Sequence, residues 1–189
     1  MMATRNVYLV GMMAVGKTTV GRHLASRLDF TFHDTDQVIE GRAGADISWI
    51  FELEGEERFR DREQQVIEEL TRRDRVVLAT GGGAVLREAN RVAMRERGIV
   101  IYLRSGIDLI VERTRSDRRR PLLQVDDVRE QIETLTAERG PLYDSVAHLA
   151  ITVDRRPPKA IANDIHDLLK GFGKPGTTET TANIHRCAL

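Results

Sequence analysis

Short apolar runs alternate with longer amphipathic stretches along this chain. Five runs rich in β-branched and aliphatic residues have the length of strands, and they lie at 6–10, 30–34, 75–80, 99–103 and 149–153. The stretches between them carry apolar residues at helical spacing, as at Val20, Leu24 and Leu28. The run at 99–103 is the most apolar of the five, so we expect it in the middle of the sheet.

Strands that alternate with helices predict an α/β fold in three layers. We expect a five-stranded parallel sheet with helices on both faces, formed by one domain over residues 1–172. Helices are predicted over 19–28, 36–40, 47–73, 87–97, 107–115, from 128 past 135, and around 161–169. Residues 173–189 are small, polar and aperiodic, which predicts a disordered tail.

The first strand and the first helix are joined by a phosphate-binding motif. Residues 11–18 read Gly-Met-Met-Ala-Val-Gly-Lys-Thr and match the P-loop pattern G-x-x-x-x-G-K-[ST]. Gly11 and Gly16 allow backbone angles that turn N–H groups toward phosphate oxygens. Lys17 can then reach the β- and γ-phosphates, and the Thr18 hydroxyl can bind Mg²⁺. The alternative is a glycine-rich turn in an ordinary βα unit.

Composition restricts the partners of the chain. Its 189 residues are 41% hydrophobic and carry 29 basic and 29 acidic side chains, so no overall field favours nucleic acid or membrane. The single cysteine, Cys187, excludes a disulfide within one chain. The first residues lead into a strand without the apolar core of a signal peptide, and the apolar runs are too short to span a bilayer. We expect a cytoplasmic monomer.

Two further segments follow strands and should face the same rim of the sheet as the P-loop. Ligands of an open parallel sheet lie beyond the carboxyl ends of its strands. Asp34 and Asp36 could hold Mg²⁺ through water and accept a hydrogen bond from a substrate hydroxyl. Alternatively, Asp36 is the N-cap of the next helix, with a solvated neighbour. The run 81–83 is Gly-Gly-Gly, which is either a plain turn or a place where amides approach an anion.

Arginines are concentrated in two segments. Arg60 lies in a charged helical run over 56–63, most of which should be a solvated face. Five arginines crowd one short stretch, namely Arg113, Arg115, Arg118, Arg119 and Arg120. They form either a solvated surface or a lid, at about residues 116–127, that closes over the charge of a phosphoryl transfer.

The ordered series of motifs resembles the shikimate kinase family over residues 6–169. The P-loop is followed by Asp-Thr-Asp at 34–36, Gly-Glu at 55–56, Phe59-Arg60 with Glu63, and Thr-Gly-Gly-Gly at 80–83. Arg-Pro-Leu-Leu follows at 120–123, and Arg139 precedes Leu142-Tyr143. The resemblance implies a P-loop NTPase fold like that of nucleoside monophosphate kinases. It also implies Mg²⁺-dependent transfer of phosphate from ATP to the 3-hydroxyl of shikimate, in the chorismate pathway of aromatic amino acids.

The same resemblance implies a role for each site residue. Asp36 accepts hydrogen bonds from shikimate hydroxyls and is the candidate base. Arg60 and Arg139 hold the shikimate carboxylate, helped by the N–H of Gly82 between Gly81 and Gly83. The acceptor-binding region covers about residues 36–63. Thr18 binds Mg²⁺ directly, and Asp34 binds it through water.

The resemblance also locates the nucleotide. Lys17 and Arg120 act on the transferring phosphate, Arg113 stacks on adenine, and Arg156 and Pro158 line its other side. The segment 155–158 can be aligned with the family one residue either way. The expected ATP-binding residues are Gly11, Ala14, Val15, Gly16, Lys17, Thr18, Thr19, Arg113, Arg120, Arg156 and Pro158.

Two other functions compete with this one. A gluconate kinase or a nucleoside monophosphate kinase would share the sheet and the lid, but a nucleotide acceptor needs a second base pocket, and the sequence offers no aromatic pair to line it. A non-catalytic nucleotide-binding module is disfavoured, because Lys17, Thr18, Asp36 and Arg120 are all present.

Overall fold

The computed structural model of the chain describes residues 5–114, 125, 127–171 and 184–185. Within this part, five parallel strands form a sheet in the order β2-β3-β1-β4-β5. The strands are β1 Asn6–Val10, β2 Thr31–Asp34, β3 Val76–Ala79, β4 Gly98–Arg104 and β5 Leu149–Thr152. The five-stranded parallel sheet predicted from the alternation of runs is thus confirmed.

A short sixth strand was not predicted. The pair Ile184–His185 forms β6, which runs antiparallel to β5 and pairs with Ala150 and Ile151. A disordered tail was expected over 173–189. Apart from this pair, the residues of that range lie outside the described part, so the expectation stays a prediction.

The strands in the middle of the sheet are buried on both faces and are largely apolar. Every residue of β1 is buried, and so are the first six of β4. β4 lies beside β1 in the middle of the sheet, which confirms the placement predicted from its composition. The core is therefore formed where strands with no polar face meet the helices.

Seven helices and one 3₁₀ turn occur in the described residues. The helices are α1 Lys17–Leu28, α2 Thr35–Ala43, α3 Ile47–Thr71, α4 Glu88–Arg97, α5 Ile107–Thr114, α6 Val128–Val146 and α7 Pro158–Gly171, and the turn is Ala84–Leu86. α1 packs on α7, whereas α4 packs on α3 and α6. None of the described helices is both long and apolar enough to cross a bilayer.

The cap of α2 corrects one sequence interpretation. Asp36 was a plausible N-cap, yet it lies in the first turn of α2, and Asp34 is the capping residue. The Asp34 Oδ1 atom accepts hydrogen bonds from the backbone N–H of Asp36 at 3.0 Å and of Gln37 at 3.3 Å. Because β2 runs directly into α2, the cap is the last residue of the strand.

α3 is two helical segments joined at a glycine. Gly55 has φ 79° and ψ 169°, which is not a helical conformation. Two contacts span this break. The rings of Phe51 and Phe59 lie 4.7 Å apart, and Arg62 forms an ion pair with Glu54 at 2.7 Å. α3 packs against α2, and Arg42 of α2 forms an ion pair with Glu69, beyond the break, at 2.6 Å.

Candidate active site

The loop between β1 and α1 has the backbone geometry of a phosphate cradle. Gly11 and Gly16 have φ of 140° and 100°, in the region that L side chains rarely adopt. A Cβ at Gly11 would also lie 2.5 Å from the carbonyl oxygen of Leu103 on β4. The loop therefore turns back at the N-terminus of α1, where helix N–H groups and the helix dipole favour an anion.

Lys17 lies at the first position of α1 and is buried. Its Nζ donates hydrogen bonds to the carbonyl oxygens of Gly11 and Met12, each at 2.7 Å. These bonds hold the ammonium group across the mouth of the loop. From there it can pair with phosphate oxygens that enter the cradle, because ammonium–phosphate hydrogen bonds are charge-assisted.

Thr18 and Asp34 meet at the edge of the same cradle. The Thr18 hydroxyl donates a hydrogen bond of 2.6 Å to Asp34 Oδ2. The other carboxylate oxygen of Asp34 caps α2, so both oxygens are engaged. The structure thus places the two residues predicted to bind metal next to each other.

The glycine turn, defined as Gly81–Gly83, lies where the acceptor residues converge. A Cβ at Gly81 would lie 2.6 Å from Glu63 Oε1 and 2.8 Å from Asp36 Oδ1. A Cβ at Gly83 would lie 2.5 Å from Arg60 Nη1, and one at Gly82 would lie 3.8 Å from Arg139 Nη1. Glycine at 81 and 83 therefore lets the backbone approach the charged groups closely, whereas the distance at 82 is an ordinary contact.

The amides of the turn are not equivalent. The N–H of Gly81 donates to Thr35 Oγ1 at 2.8 Å, so it is already engaged. The N–H groups of Gly82 and Gly83 have no acceptor among the described residues. Of the three predicted substrate-binding glycines, two therefore have an N–H group without a described acceptor, and Gly81 does not.

Arg60 is buried and already carries two acidic partners. Its Nη1 donates to Glu63 Oε2 at 2.7 Å, and its Nη2 donates to Glu56 Oε1 at 2.9 Å. Burial disfavours the charged guanidinium, but Glu63 and Glu56 outweigh this effect and raise the pKa of Arg60 above its usual value. Nε also donates to Glu56, so three of its five N–H donors are used and two remain.

Glu63 is the site residue to which sequence reasoning gave no role. Its side chain is fully buried, and burial raises the pKa of its carboxyl to about 7, with Arg60 opposing the shift. The nearby charge of Asp36 raises the pKa further, and Arg139 opposes it. Its position three residues after Arg60 on a helix was the available signal, because i, i+3 side chains are neighbours.

Arg139 contrasts with Arg60. It is 3% exposed, and its Nε is a buried donor without a partner. Among the described residues it forms no ion pair, although Glu63 and the hydroxyl of Tyr143 lie in its vicinity. A buried cation without a counter-ion is costly, so this guanidinium is prepared for an anionic ligand.

A pocket of about 350 Å³ adjoins the P-loop. Seven of the residues predicted to bind ATP line it, namely Ala14, Val15, Gly16, Thr19, Arg113, Arg156 and Pro158. Three apolar residues that were not predicted, Val20, Val153 and Ile161, complete the lining. An apolar wall with cationic edges suits a purine that carries phosphates.

Arg113 is fixed at the edge of this pocket. Its Nη1 donates to the carbonyl oxygens of Ala14 and Val15 at 3.3 and 3.2 Å, and its Nη2 donates to that of Asp154 at 3.4 Å. Arg156 forms ion pairs with Asp154 and Asp164, each at 2.8 Å. The two guanidinium groups therefore border the pocket from different elements.

The other arginines of the predicted lid cannot be placed. Arg115, Arg118, Arg119 and Arg120 lie outside the described residues, as does all of 116–127 except 125 and 127. The catalytic role of Arg120 stays a prediction.

Comparison with known proteins identifies the family. The family model described as shikimate kinase matches residues 13–170. The chain belongs to the shikimate kinase family. A shikimate kinase of Shewanella amazonensis is 53% identical over 168 residues, which are 89% of this chain and 98% of that relative.

A solved shikimate kinase has the same structure. The shikimate kinase from Acinetobacter baumannii, solved in complex with shikimate, is 46% identical and has a TM-score of 0.89. The match covers 92% of this chain and 97% of the other. The fold expected from the resemblance, with its central parallel sheet, is therefore that of the shikimate kinases.

The gluconate kinase alternative receives less support. A gluconokinase from Sinorhizobium meliloti is 14% identical with a TM-score of 0.54. That likeness shows a shared fold alone, whereas the shikimate kinase family shares sequence over most of the chain.

Proposed function

We propose that this chain transfers the γ-phosphoryl group of ATP to the 3-hydroxyl of shikimate, giving shikimate 3-phosphate and ADP. The observation that carries the proposal is the buried Arg139, which has no ion pair in the described residues and lies beside the free amides of the glycine turn. A carboxylate supplies both the charge and the acceptors that this corner lacks. The related enzyme from Acinetobacter baumannii was solved with shikimate bound.

The acceptor is oriented by charges of opposite sign. Arg139, the remaining donors of Arg60 and the N–H of Gly82 bind the shikimate carboxylate. Asp36, next to Gly81, accepts the hydroxyl hydrogen bonds and is placed to take the proton of the attacking 3-hydroxyl. Phosphoryl transfer requires mainly placement and charge neutralisation, and these are what the described groups supply.

The donor is held by the P-loop and the adjoining pocket. The amides of the loop and Lys17 bind the phosphates, and Arg113, Arg156 and Pro158 border the adenine. Arg120 is proposed to neutralise the charge that develops on the transferring group. In-line transfer then requires the 3-hydroxyl of shikimate and the leaving oxygen of ADP to lie on opposite sides of the transferring phosphorus.

Magnesium fits the pair formed by Thr18 and Asp34. Both present hard oxygen atoms, at 2.6 Å from each other, at the mouth of the cradle. Mg²⁺ favours few protein ligands together with waters and phosphate oxygens. When bound, the ion would supply charge neutralisation between the β- and γ-phosphates, with Thr18 as a direct ligand and Asp34 acting through water.

A coupled ADP assay tests the proposal. Purified protein with Mg-ATP is offered shikimate, gluconate and AMP in parallel, and we expect ADP release with shikimate only. Release with gluconate alone would establish a sugar-acid kinase instead. ATP binding without turnover on any acceptor would establish a non-catalytic module. The monomeric state is a separate prediction, checked by light scattering.

A further inference from the structure

The backbone of the glycine turn is held by hydrogen bonds within the turn and by hydrogen bonds to side chains of two helices. Two of its carbonyl oxygens are bonded locally, since Ala84 N donates to Gly81 O at 3.2 Å and Leu86 N donates to Gly83 O at 3.0 Å. The carbonyl between them is different, because Gly82 O accepts a hydrogen bond from the hydroxyl of Tyr143 on α6. With the Gly81 amide bonded to Thr35, the only polar groups of the turn without a described partner are two N–H groups.

Both anchoring side chains are wholly buried. Thr35 and Tyr143 are each 0% exposed. A buried hydroxyl is costly unless it forms a hydrogen bond, so neither side chain can leave the turn without a penalty. The Tyr143 ring is confined as well, with the Tyr102 ring 5.0 Å away and Met12 Sδ lying 3.7 Å from its hydroxyl.

The two anchors come from two of the three elements that carry the acceptor-binding charges. Thr35 precedes Asp36 directly in α2. Tyr143 lies four residues after Arg139 in α6, which is one helical turn. The turn is therefore tied to the carboxylate on one side and to the unpaired guanidinium on the other.

We infer that Thr35 and Tyr143 are positioning residues, an inference that rests on the function proposed above. Their hydroxyls orient the peptides of the glycine turn so that the N–H groups of Gly82 and Gly83 face the same point as Arg139. Tyr143 does this by holding the peptide that carries the Gly83 N–H. The pair thereby sets how strongly the site prefers an acceptor with a carboxylate over one without it.

Four variants test the inference. Tyr143→Phe and Thr35→Val each remove one hydroxyl and keep most of the side-chain volume, whereas Thr35→Ser keeps the hydroxyl. Tyr8→Phe is the matched control, because Tyr8 is equally buried but donates to Thr71 O and Arg97 O, each at 3.3 Å, at the opposite end of the sheet. Each is assayed for kcat and KM with ATP, shikimate and shikimate methyl ester, and its melting temperature is recorded.

The ratio of kcat/KM for shikimate to that for its methyl ester separates positioning from stability. One neutral hydrogen bond corresponds to about fivefold in affinity, so we expect Tyr143→Phe and Thr35→Val to raise the KM for shikimate, and to lower this ratio, by about fivefold to tenfold. The KM for ATP should change by less than about twofold. Thr35→Ser and Tyr8→Phe should keep the ratio of the wild type, even where Tyr8→Phe lowers the melting temperature.

Two results would overturn the inference. One is an unchanged KM for shikimate in both Tyr143→Phe and Thr35→Val. The other is an equal fall in kcat/KM for the acid and the ester, which would indicate a purely structural role. Absence of shikimate turnover in the wild type is a different result, because it would contradict the proposed function itself.

Discussion

Two buried cations at one rim have opposite surroundings, and this difference assigns them to different ligands. Lys17 donates to two carbonyl oxygens of its own loop. Arg139 keeps a buried Nε donor without a partner. The Lys17 ammonium is therefore solvated by the protein without a ligand, whereas the Arg139 Nε is not, and we propose that phosphate binds Lys17 and the acceptor carboxylate binds Arg139.

Replacement of Lys17 tests its charge at the transition state. We expect Lys17→Ala to lower kcat by about a hundredfold or more, because the ammonium offsets charge that develops during transfer. Steady-state kinetics with saturating shikimate measures the effect. Lys170→Ala, which removes an exposed lysine paired with Asp167, should leave kcat unchanged. A loss below about tenfold in Lys17→Ala would show that the charge is not needed.

A second prediction concerns the buried carboxyl of Glu63 and the change of protein stability with pH. Its pKa in the folded protein is raised from 4.5 to about 7, mainly by burial, so the folded state holds more protons than the unfolded chain between these values. Stability from Glu63 is thus fully present below about pH 4.5 and lost as the pH rises through about 7.

Urea unfolding at pH 5 and pH 8 measures this effect, with Glu63→Gln as the reference. The free energy of unfolding of the wild type, relative to Glu63→Gln, should fall by up to about 3 kcal/mol between acid and mildly alkaline pH. An equal difference at both pH values would place the pKa of Glu63 near its ordinary value.

The sequence alone predicts a role for some of the site residues and not for others. The P-loop residues were assignable because their chemistry depends on local spacing. The sequence predicts no role of their own for Thr35 and Tyr143, because their partners in the glycine turn are 46 and 61 residues away. Hydrogen bonds at such separations depend on packing, and no local pattern reports them.

At the scale of elements, sequence periodicity gave the strands and helices but misplaced their junctions. β2 runs into α2 without a loop, so the cap is Asp34 and not Asp36. Both aspartates have suitable side chains, and only the direction of the chain after the strand decides which one caps. The break in α3 at Gly55 was also missed, because the apolar spacing continues on both sides of it.

The break in α3 makes a prediction of its own. Gly55 has φ 79° and ψ 169°, and a Cβ there would meet no atom within 4 Å. Any cost of Gly55→Ala therefore comes from the backbone, and we expect a loss of about 1–3 kcal/mol in the free energy of unfolding. Thermal or urea unfolding measures it.

Gly41 supplies the matched control for this substitution. It lies within α2 and also has open space around its Cβ position, but its φ is not positive. Gly41→Ala should stabilise the protein by about 0.5–1 kcal/mol, because alanine has the higher helix propensity. If both substitutions stabilised the protein, the break at Gly55 would not exist in solution.

At the scale of the whole molecule, the topology of the sheet was the most predictable feature. Parallel strands bring every strand's carboxyl end to one rim, so the P-loop, Asp36 and the glycine turn had to converge. Arg60 and Arg139 lie on helices, so the rule that parallel strands end at one rim does not predict where these side chains lie. Their convergence came from the family resemblance, and the distances to the glycine turn agree with it.

The buried Arg139 should lower the stability of the protein without ligand, although the proposed function requires it to bind the acceptor. Arg139 has no counter-ion in the described residues, whereas Arg60 pairs with Glu63 and Glu56. Replacing an unpaired buried charge with an apolar side chain of similar length removes a desolvation cost. Replacing a paired one removes the partner that stabilises the buried Glu63 carboxylate.

Arg139→Met and Arg60→Met should therefore change stability in opposite directions while both impair catalysis. Without ligand, we expect Arg139→Met to raise the free energy of unfolding by about 1 kcal/mol or more, and Arg60→Met to lower it by about 3 kcal/mol. Both should raise the KM for shikimate far more than that for ATP, because two charged hydrogen bonds to a carboxylate are worth about 1.5–3 kcal/mol each. Thermal unfolding with and without shikimate measures both effects, since a ligand stabilises only the state that binds it. If Arg139→Met melted below the wild type without ligand and kept its shikimate-induced shift, Arg139 would be a structural residue and the acceptor carboxylate would bind elsewhere.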